Sequence, residues 1–400
     1  MSEIRLLTIT NLYPSVDQPR HGIFVEQRLR QLVATGKLGA QVVALRPDGR
    51  AFLSRPPTDG ELRSEVRHGI QVEYVRVPTL PWVTNWIDPW LWANAAEAAV
   101  RRLLGRERHA SILDAHFLYP DGVAAVVLAR RLGLPVVMTA RGSDVNVKCD
   151  NPVMRSWVRW AANNCSALVA VSQALANRLA SSNIRAPRME VLRNGVDLEQ
   201  FRPGDRLRCR DRFNIADRLV VSVGHLVPEK GHHIAIDAIS DLPDTGLLIV
   251  GEGTARAMLE GRVRDLGLQS RVRFLGNVPH QDMAEIYNAA DALALPSLRE
   301  GLPNVVLESL ACGTRVAATD VGGIGEIVVS PVAGRLFRER TPSALRSALE
   351  ALFADAVDVE QTRRFAERFS WEGIVEKQLQ LYRDVLSERH SATLAAATQE

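Results

Sequence analysis

Short runs rich in Val, Ile and Leu recur along the chain, each followed by a stretch with helical spacing, and this alternation restricts the fold more than any other feature. A β-run that feeds a helix and then another β-run builds a βα unit, and a series of such units packs as a parallel sheet with helices on its faces. Two series are present. The first has strands IRLLTIT, AQVVAL, IQVEYVRV, SILDAH, LPVVMTA, ALVAVS and MEVLRN, with helices near 22–35, 90–105, 122–132, 152–163 and 172–181. The second has RLVVSVG, GLLIVG, VRFLG, ALALPS and RVAAT, with helices near 230–240, 254–267, 281–290, 304–311 and 342–353. The expectation is α/β, with domains over 1–195 and 205–370. The turn-rich, charged segment NGVDLEQFRPGDRLRCRDRF reads as their connection. A last helix, 371–388, follows the second series and is free to pack back on the first; the tail 389–400 has no burying pattern and is expected to be disordered.

Four hundred residues exceed what one core serves, which agrees with two domains. The best apolar stretch, GVAAVVLARRLGLPVV, is cut by Arg130 and Arg131, short of the roughly 18 apolar residues that a span requires. The start, MSEIRLLTIT, is unlike a secretory signal, so a cytoplasmic location is expected. Cys149, Cys165, Cys209 and Cys312 form no CxxC pair and have no His cluster at metal spacing, which argues against a zinc site or disulfide framework. Residues 1–190 carry 24 Lys and Arg against 16 Asp and Glu, and the remainder 25 against 30, so the first half is basic. Without an aromatic sheet or a recognition-helix motif, that charge does not indicate nucleic acid. Only four lysines occur, Lys37, Lys148, Lys230 and Lys377, leaving most cationic work to arginine, whose fork suits phosphate and carboxylate.

The stretch REGLPNVVLESLACGT sets Glu300 and Glu308 on either side of a Gly-Leu-Pro-Asn turn. The strand before it should end at the carboxyl edge of the second sheet, where ligands of open α/β folds bind. Pro303 suits the first position of a helix, so Asn304, Val305 and Val306 would present amide N–H groups to an anion such as a diphosphate. Glu308 falls one turn on, on the face of Asn304, where its carboxylate can accept from a vicinal diol such as ribose. Taken singly, Glu300 is a loop acid and Glu308 a helix acid. The sister strand ends alter that balance: HLVPEKGH starts a helix with the cation of Lys230 at the same edge, and GGIGE follows RVAATDV, where backbone can approach closely.

These motifs resemble the donor-binding half of the family 4 glycosyltransferases, retaining enzymes of the GT-B fold, in which two Rossmann-like domains face each other across a cleft. The likeness spans nearly the whole chain. It implies that Glu308 holds the ribose of a nucleotide-diphosphate sugar, that Glu300 contacts the transferred sugar, and that Lys230 contacts the diphosphate. Where the family usually has arginine, this chain has His225, a single neutral donor in place of a charged fork; Arg299 or Arg141 is the candidate to replace it. GNVP resembles the segment that meets the nucleobase through its backbone, which points to Val278. In the first half the resemblance assigns Gly22 to the loop that brings amides to the sugar phosphate. It assigns His116 to the active-site histidine that contacts the donor sugar by backbone or ring. Arg141 stands where many relatives have His before Gly-Ser-Asp. Asp144 reads either as the orienter of an acceptor hydroxyl or as the cap of its own turn.

Six of the seven tryptophans lie in the basic half: Trp82, Trp86, Trp90, Trp92, Trp157 and Trp160, the last two beside Arg155 and Arg159. Trp and Arg together suit a membrane interface, and equally the tryptophans pack a substrate wall or the core. The first alternative goes with a polyprenyl- or lipid-linked acceptor and a place at the inner face of the plasma membrane. The resemblance implies sugar transfer to a glycan or lipid-linked hydroxyl, with no metal and no cofactor, as in cell-surface polysaccharide synthesis. A sugar-nucleotide epimerase on the same scaffold and a non-catalytic sugar-nucleotide binder are the rival readings. A dehydrogenase is weaker, because LLIVGEGTARA lacks the third glycine of the dinucleotide loop.

Overall fold

The computed structural model describes residues 4–48, 63–80, 84, 86–105, 111–211, 213 and 218–397. The chain divides into two compact units, Met1–Arg193 with Glu372–Glu400, and Asn194–Trp371.

The first unit contains β1 (Ile4–Thr10), β2 (Leu38–Asp48), β3 (Arg63–Arg67), β4 (Ile70–Pro78), β5 (Ser111–His116), β6 (Val136–Ala140), β7 (Ala167–Ala170) and β8 (Met189–Val191). They form one sheet in the order β3-β4-β2-β1-β5-β6-β7-β8. Every pairing is parallel except β3 with β4. That exception is a hairpin the apolar pattern did not announce, because β3 is the charged run RSEVR. Its two-residue turn is His68-Gly69, with φ of 50° and 77°, the left-handed pair that a type I′ turn needs. The inner strands are buried along most of their length, as expected of a sheet covered on both faces by βα crossovers.

The second unit holds β9 (Arg218–Val223), β10 (Thr245–Val250), β11 (Val272–Gly276), β12 (Ala292–Leu295), β13 (Arg315–Thr319) and β14 (Gly334–Phe337), all parallel, in the order β11-β10-β9-β12-β13-β14. Val220, Leu247, Ile249, Ile236 and Leu349 are fully buried in its core.

Both sheets are doubly wound, and in each the strand order reverses beside the first strand: between β1 and β5, and between β9 and β12. Loops at the carboxyl ends of such a strand pair diverge to opposite faces, leaving a crevice between them. Gly22, His116, His225, Lys230, Glu300 and Glu308 lie at or after the ends of these four strands, whereas Arg141 and Asp144 follow β6 and Val278 follows β11.

Two boundaries differ from the sequence reading. The segment expected to link the domains is built into the second unit, where Arg363 donates to the carbonyls of Leu198 at 2.9 Å and Phe201 at 2.6 Å. The terminal helix does not stop at Glu388 but runs from Trp371 to Ala397, and its side chains Leu379, Tyr382 and Val385 are buried in the first unit. Among the described residues no helix is long and apolar enough to cross a membrane.

Candidate active site

In the second unit the two loops at the switch point meet directly. β9 is followed by a single turn, Pro228–Lys230, that ends at Gly231 with φ of 74°. β12 is followed by the loop that carries Glu300. Lys230 Nζ donates to Glu300 Oε1 at 2.6 Å, with Glu300 nine-tenths buried. Leu298 N also donates to Glu229 O at 2.7 Å. Two oppositely charged groups are thus held together at the sheet edge in a partly desolvated place, where electrostatic interactions are stronger than in water. The glycine loop GGIGE closes on Glu300 from the other side. A Cβ on Gly322 would lie 2.1 Å from Glu300 O, and Gly323 N donates to Gly301 O at 2.8 Å. Those glycines serve backbone-to-backbone packing of the Glu300 loop.

The helix after Pro303 covers Asn304–Ala311, and no side chain caps its start. Of the three amides expected to face an anion, that of Val306 is engaged by Pro303 O at 3.1 Å, and Val306 is itself buried. Asn304 and Val305, both half-buried, remain at the helix start. Asn304 Oδ1 accepts from Asn194 Nδ2 at 2.8 Å.

Glu308 sits in a small aromatic and polar nest. Its oxygens accept from His280 Nε2 and Tyr287 OH, each at 2.9 Å. Gln200 Nε2, which can only donate, lies 3.0 Å from His280 Nδ1 and from His280 O. Nδ1 is therefore the acceptor and Nε2 carries the proton that Glu308 receives. Phe201 packs edge-on against the His280 ring at 5.1 Å. His280, Tyr287, Gln200 and Asn194 were not singled out in the sequence. His280 directly follows the GNVP segment, and that position was the available signal. Val278 in that segment is half-buried, and His225 lies exposed in the loop after β9.

In the first unit, Gly22 precedes the helix Ile23–Ala34 with φ of 72°, and a Cβ there would lie 2.1 Å from the Leu12 carbonyl carbon. Only glycine fits, because the two arms of this loop touch through their backbones. Across the switch point, His116 ends β5 and is 1% exposed. Arg141 Nη2 donates to His116 Nδ1 at 2.7 Å, and the other ring nitrogen lies 3.0 Å from Asp114 Oδ2, off the line of an aligned hydrogen bond. Burial pushes the His116 pKa down to about 4, with Arg141 adding to the effect and Asp114 opposing it, so the ring is neutral near pH 7. The next residue, Phe117, has φ of 87°, an uncommon conformation for a side chain of its size.

Arg141 is 9% exposed, with its guanidinium 5.1 Å from the centre of the Phe24 ring; burial lowers its pKa, yet an arginine stays charged. The two readings of Asp144 resolve to the cap. Its carboxylate is fully buried and accepts from the amides of Leu118, Arg141, Gly142 and Val145 at 2.7–3.1 Å. Those four donors occupy the oxygens that an acceptor hydroxyl would need. Asp121, fully buried in the loop after His116, accepts from Asn11 N, and burial raises its pKa well above the usual range.

The tryptophans divide. Trp92 is core, 2% exposed with its N–H on Thr79 Oγ1 at 2.9 Å. Trp86 and Trp90 are exposed, at 61% and 52%. Trp157 donates to Trp86 O at 2.8 Å and packs edge-on against Trp160. Trp82 lies outside the described residues.

Comparison with known proteins agrees with this geometry. Residues 206–369 match the model of glycosyl transferases group 1, and residues 25–200 that of glycosyltransferase family 4. The chain is 31% identical over 340 residues to TuaC of Bacillus subtilis, a glycosyltransferase whose name assigns it to teichuronic acid biosynthesis; the match spans 81% of this chain and 83% of that one. Among solved structures, sucrose-phosphate synthase from Thermosynechococcus elongatus superposes with a TM-score of 0.79 at 20% identity, over 97% of this chain and 100% of the other. HepE of Anabaena, in complex with UDP-glucose, superposes at 0.74 and 22% identity, over 97% and 100%. Two doubly wound sheet units, each with a switch point beside its first strand, and family models that match each of those units, place this chain in glycosyltransferase family 4, with the GT-B architecture.

Proposed function

We propose that this glycosyltransferase moves a sugar from a nucleotide-diphosphate donor to a hydroxyl of a glycan or lipid-linked acceptor, with retention at the anomeric carbon and without a metal. The observation that carries the reading is the Lys230–Glu300 pair at the β9/β12 switch point, beside an uncapped helix start. A donor entering there gives each partner a better one: the diphosphate takes Lys230 and the Asn304 and Val305 amides, and sugar hydroxyls take Glu300. Glu308 would take the ribose diol in place of His280 and Tyr287. HepE holding UDP-glucose supports a nucleotide sugar as the donor class.

In the transfer, the bond from the anomeric carbon to the β-phosphate oxygen breaks, and the acceptor oxygen bonds to that carbon. Charge develops on the leaving phosphate, where fixed amides and a cation lower the barrier. The departing phosphate oxygen takes the acceptor proton, so a separate base is not required. A neutral His116 with Nδ1 already accepting from Arg141 supports that economy. In the first unit, His116 and Gly22 are the candidates for contact with the donor sugar and its phosphate on this reading.

The exposed Trp86 and Trp90, in a unit with an excess of arginine, support an anionic lipid surface as the place of work. Flotation with anionic vesicles at low salt is expected to carry the protein, and Trp86→Ser with Trp90→Ser to leave it behind.

A thermal-shift screen with UDP-glucose, GDP-mannose and ADP-glucose tests the donor reading. One of them is expected to raise the melting temperature, since ligand at a hundred times Kd stabilises by about 2.7 kcal/mol. Glu308→Gln should abolish that shift, and turnover should persist in chelator. Binding without turnover over a broad acceptor panel would mark a non-catalytic binder, and an epimer formed without acceptor would mark an epimerase.

A further inference from the structure

The first unit contains a buried polar chain that the transfer reaction does not use. Asp114 lies on β5 in register with Thr8 of β1, so the two side chains share one face of the sheet. Thr8 Oγ1 donates to Asp114 Oδ2 at 3.1 Å, and Tyr382 OH donates to Oδ1 at 3.2 Å. Asp114 is fully buried and Tyr382 is 1% exposed. An isolated carboxylate in such a place would be strongly destabilised; the neighbouring His116 and these two hydroxyls offset that cost. Two residues further along β5, His116 receives Arg141 on Nδ1. A guanidinium only donates, so Nδ1 is the lone pair and the ring proton sits on Nε2, 3.0 Å from Asp114 Oδ2.

Tyr382 does not belong to the sheet. It is carried by the terminal helix, which leaves the second unit at Trp371 and ends in the first. That helix is tied at its base by Arg28, a guanidinium 1% exposed, which donates to Gln378 Oε1 at 2.9 Å. The same group holds Leu192 O at 2.9 Å and Arg193 O at 2.7 Å, the last residues before the chain departs. Arg188 adds a bond to Asp384 at 3.0 Å.

We propose that Tyr382 and Asp114 are positioning residues for His116, so that the terminal helix fixes the tautomer and the setting of the histidine that faces the donor sugar. The imidazole accepts from Arg141 at Nδ1 and faces the Asp114 carboxylate with Nε2 at 3.0 Å, and that carboxylate is in turn bonded to an element contributed by the far end of the chain. The inference rests on His116 contacting the donor, and its test separates the two claims.

The experiment uses the full-length protein with ¹⁵N-labelled histidine and long-range ¹H–¹⁵N spectra, His116 being assigned by its loss in His116→Gln. In the wild type, His116 should show one protonated and one unprotonated nitrogen with the proton on Nε2. In Tyr382→Phe, and more strongly in Asp114→Asn, the two shifts should converge as the second tautomer gains population. With the nucleotide sugar that gives the largest thermal shift, Tyr382→Phe should lower kcat by roughly tenfold with KM within about twofold, as a misplaced group does. If Asp114→Asn does not fold, Tyr382→Phe decides alone. His116 nitrogens that superpose on the wild type in Tyr382→Phe would overturn the proposal whatever the turnover. Converging shifts in a protein that turns over no nucleotide sugar would uphold the positioning and remove the catalytic reading of His116 instead.

Discussion

At the scale of single residues, two imidazoles among the described residues, His116 and His232, are buried and neutral near pH 7. His232, 2% exposed beneath the loop after β9, has its Nδ1 2.9 Å from Ser222 Oγ, and burial pushes its pKa down to about 4. In the unfolded chain the same group titrates near 6.5. Between these values the unfolded state binds a proton that the folded state refuses, so the stabilisation is complete above about pH 6.5 and declines as the pH falls towards 4. Urea unfolding at pH 7 and pH 5 should show a loss from this residue of about 2 kcal/mol. In His232→Asn the loss between those two pH values should be smaller by that amount, and equal slopes would refute the assignment. Residues that belong to a motif were legible in the sequence: Lys230, Glu300, Gly22 and His116 all fall at switch points. Residues that serve them were not. Tyr382, Asn194 and Tyr287 make their contacts across 268, 110 and 21 positions of chain, where no local pattern marks them, and His280 is marked only by its place after GNVP.

At the scale of elements, the turn that carries Lys230 is docked on its neighbour by the absence of a side chain. Gly231 has φ of 74° and begins the helix His232–Ser240; a Cβ there would lie 2.2 Å from Pro296 O, at the end of β12. Gly231→Ala incurs the left-handed penalty of about 1–2 kcal/mol and forces the turn away from β12. A lower melting temperature is expected, together with lost nucleotide binding by calorimetry, because Lys230 moves with the turn; unchanged binding would show that the turn does not set the cation. Most elements followed from apolar period alone, since both sheets are covered on two faces. The exceptions have physical reasons. The charged β3 is an edge strand, and β14 is a four-residue edge strand with half-buried Arg335 and Leu336. The helix Val359–Glu367 buries only Thr362 and Ala366, small side chains that leave no large apolar stripe to read. Past Glu388 the helix continues through an Ala-rich run of high intrinsic helix propensity.

At the scale of the whole molecule, the two units are unequal in how they are assembled. The second is one continuous segment, Asn194–Trp371, with a six-stranded sheet and a contiguous core. The first is discontinuous and needs its terminal helix: Leu379, Tyr382 and Val385 are 1–2% exposed, and Arg28 and Asp114 would lose Gln378 and Tyr382 with them. Removing the helix therefore uncovers apolar surface and leaves a buried guanidinium and a buried carboxylate each short of a partner, a change worth several kcal/mol against a typical stability of about 5–15 kcal/mol. Expressed alone, residues 194–371 should melt cooperatively and still respond to the nucleotide sugar found in the donor screen. Residues 1–193 alone should lack a cooperative transition and regain one when 372–400 is supplied in trans or by circular permutation. Circular dichroism and calorimetry of the three preparations decide it: a first unit that melts cooperatively without the helix would make that helix an appendage and would weaken the case for Tyr382 as a support of His116.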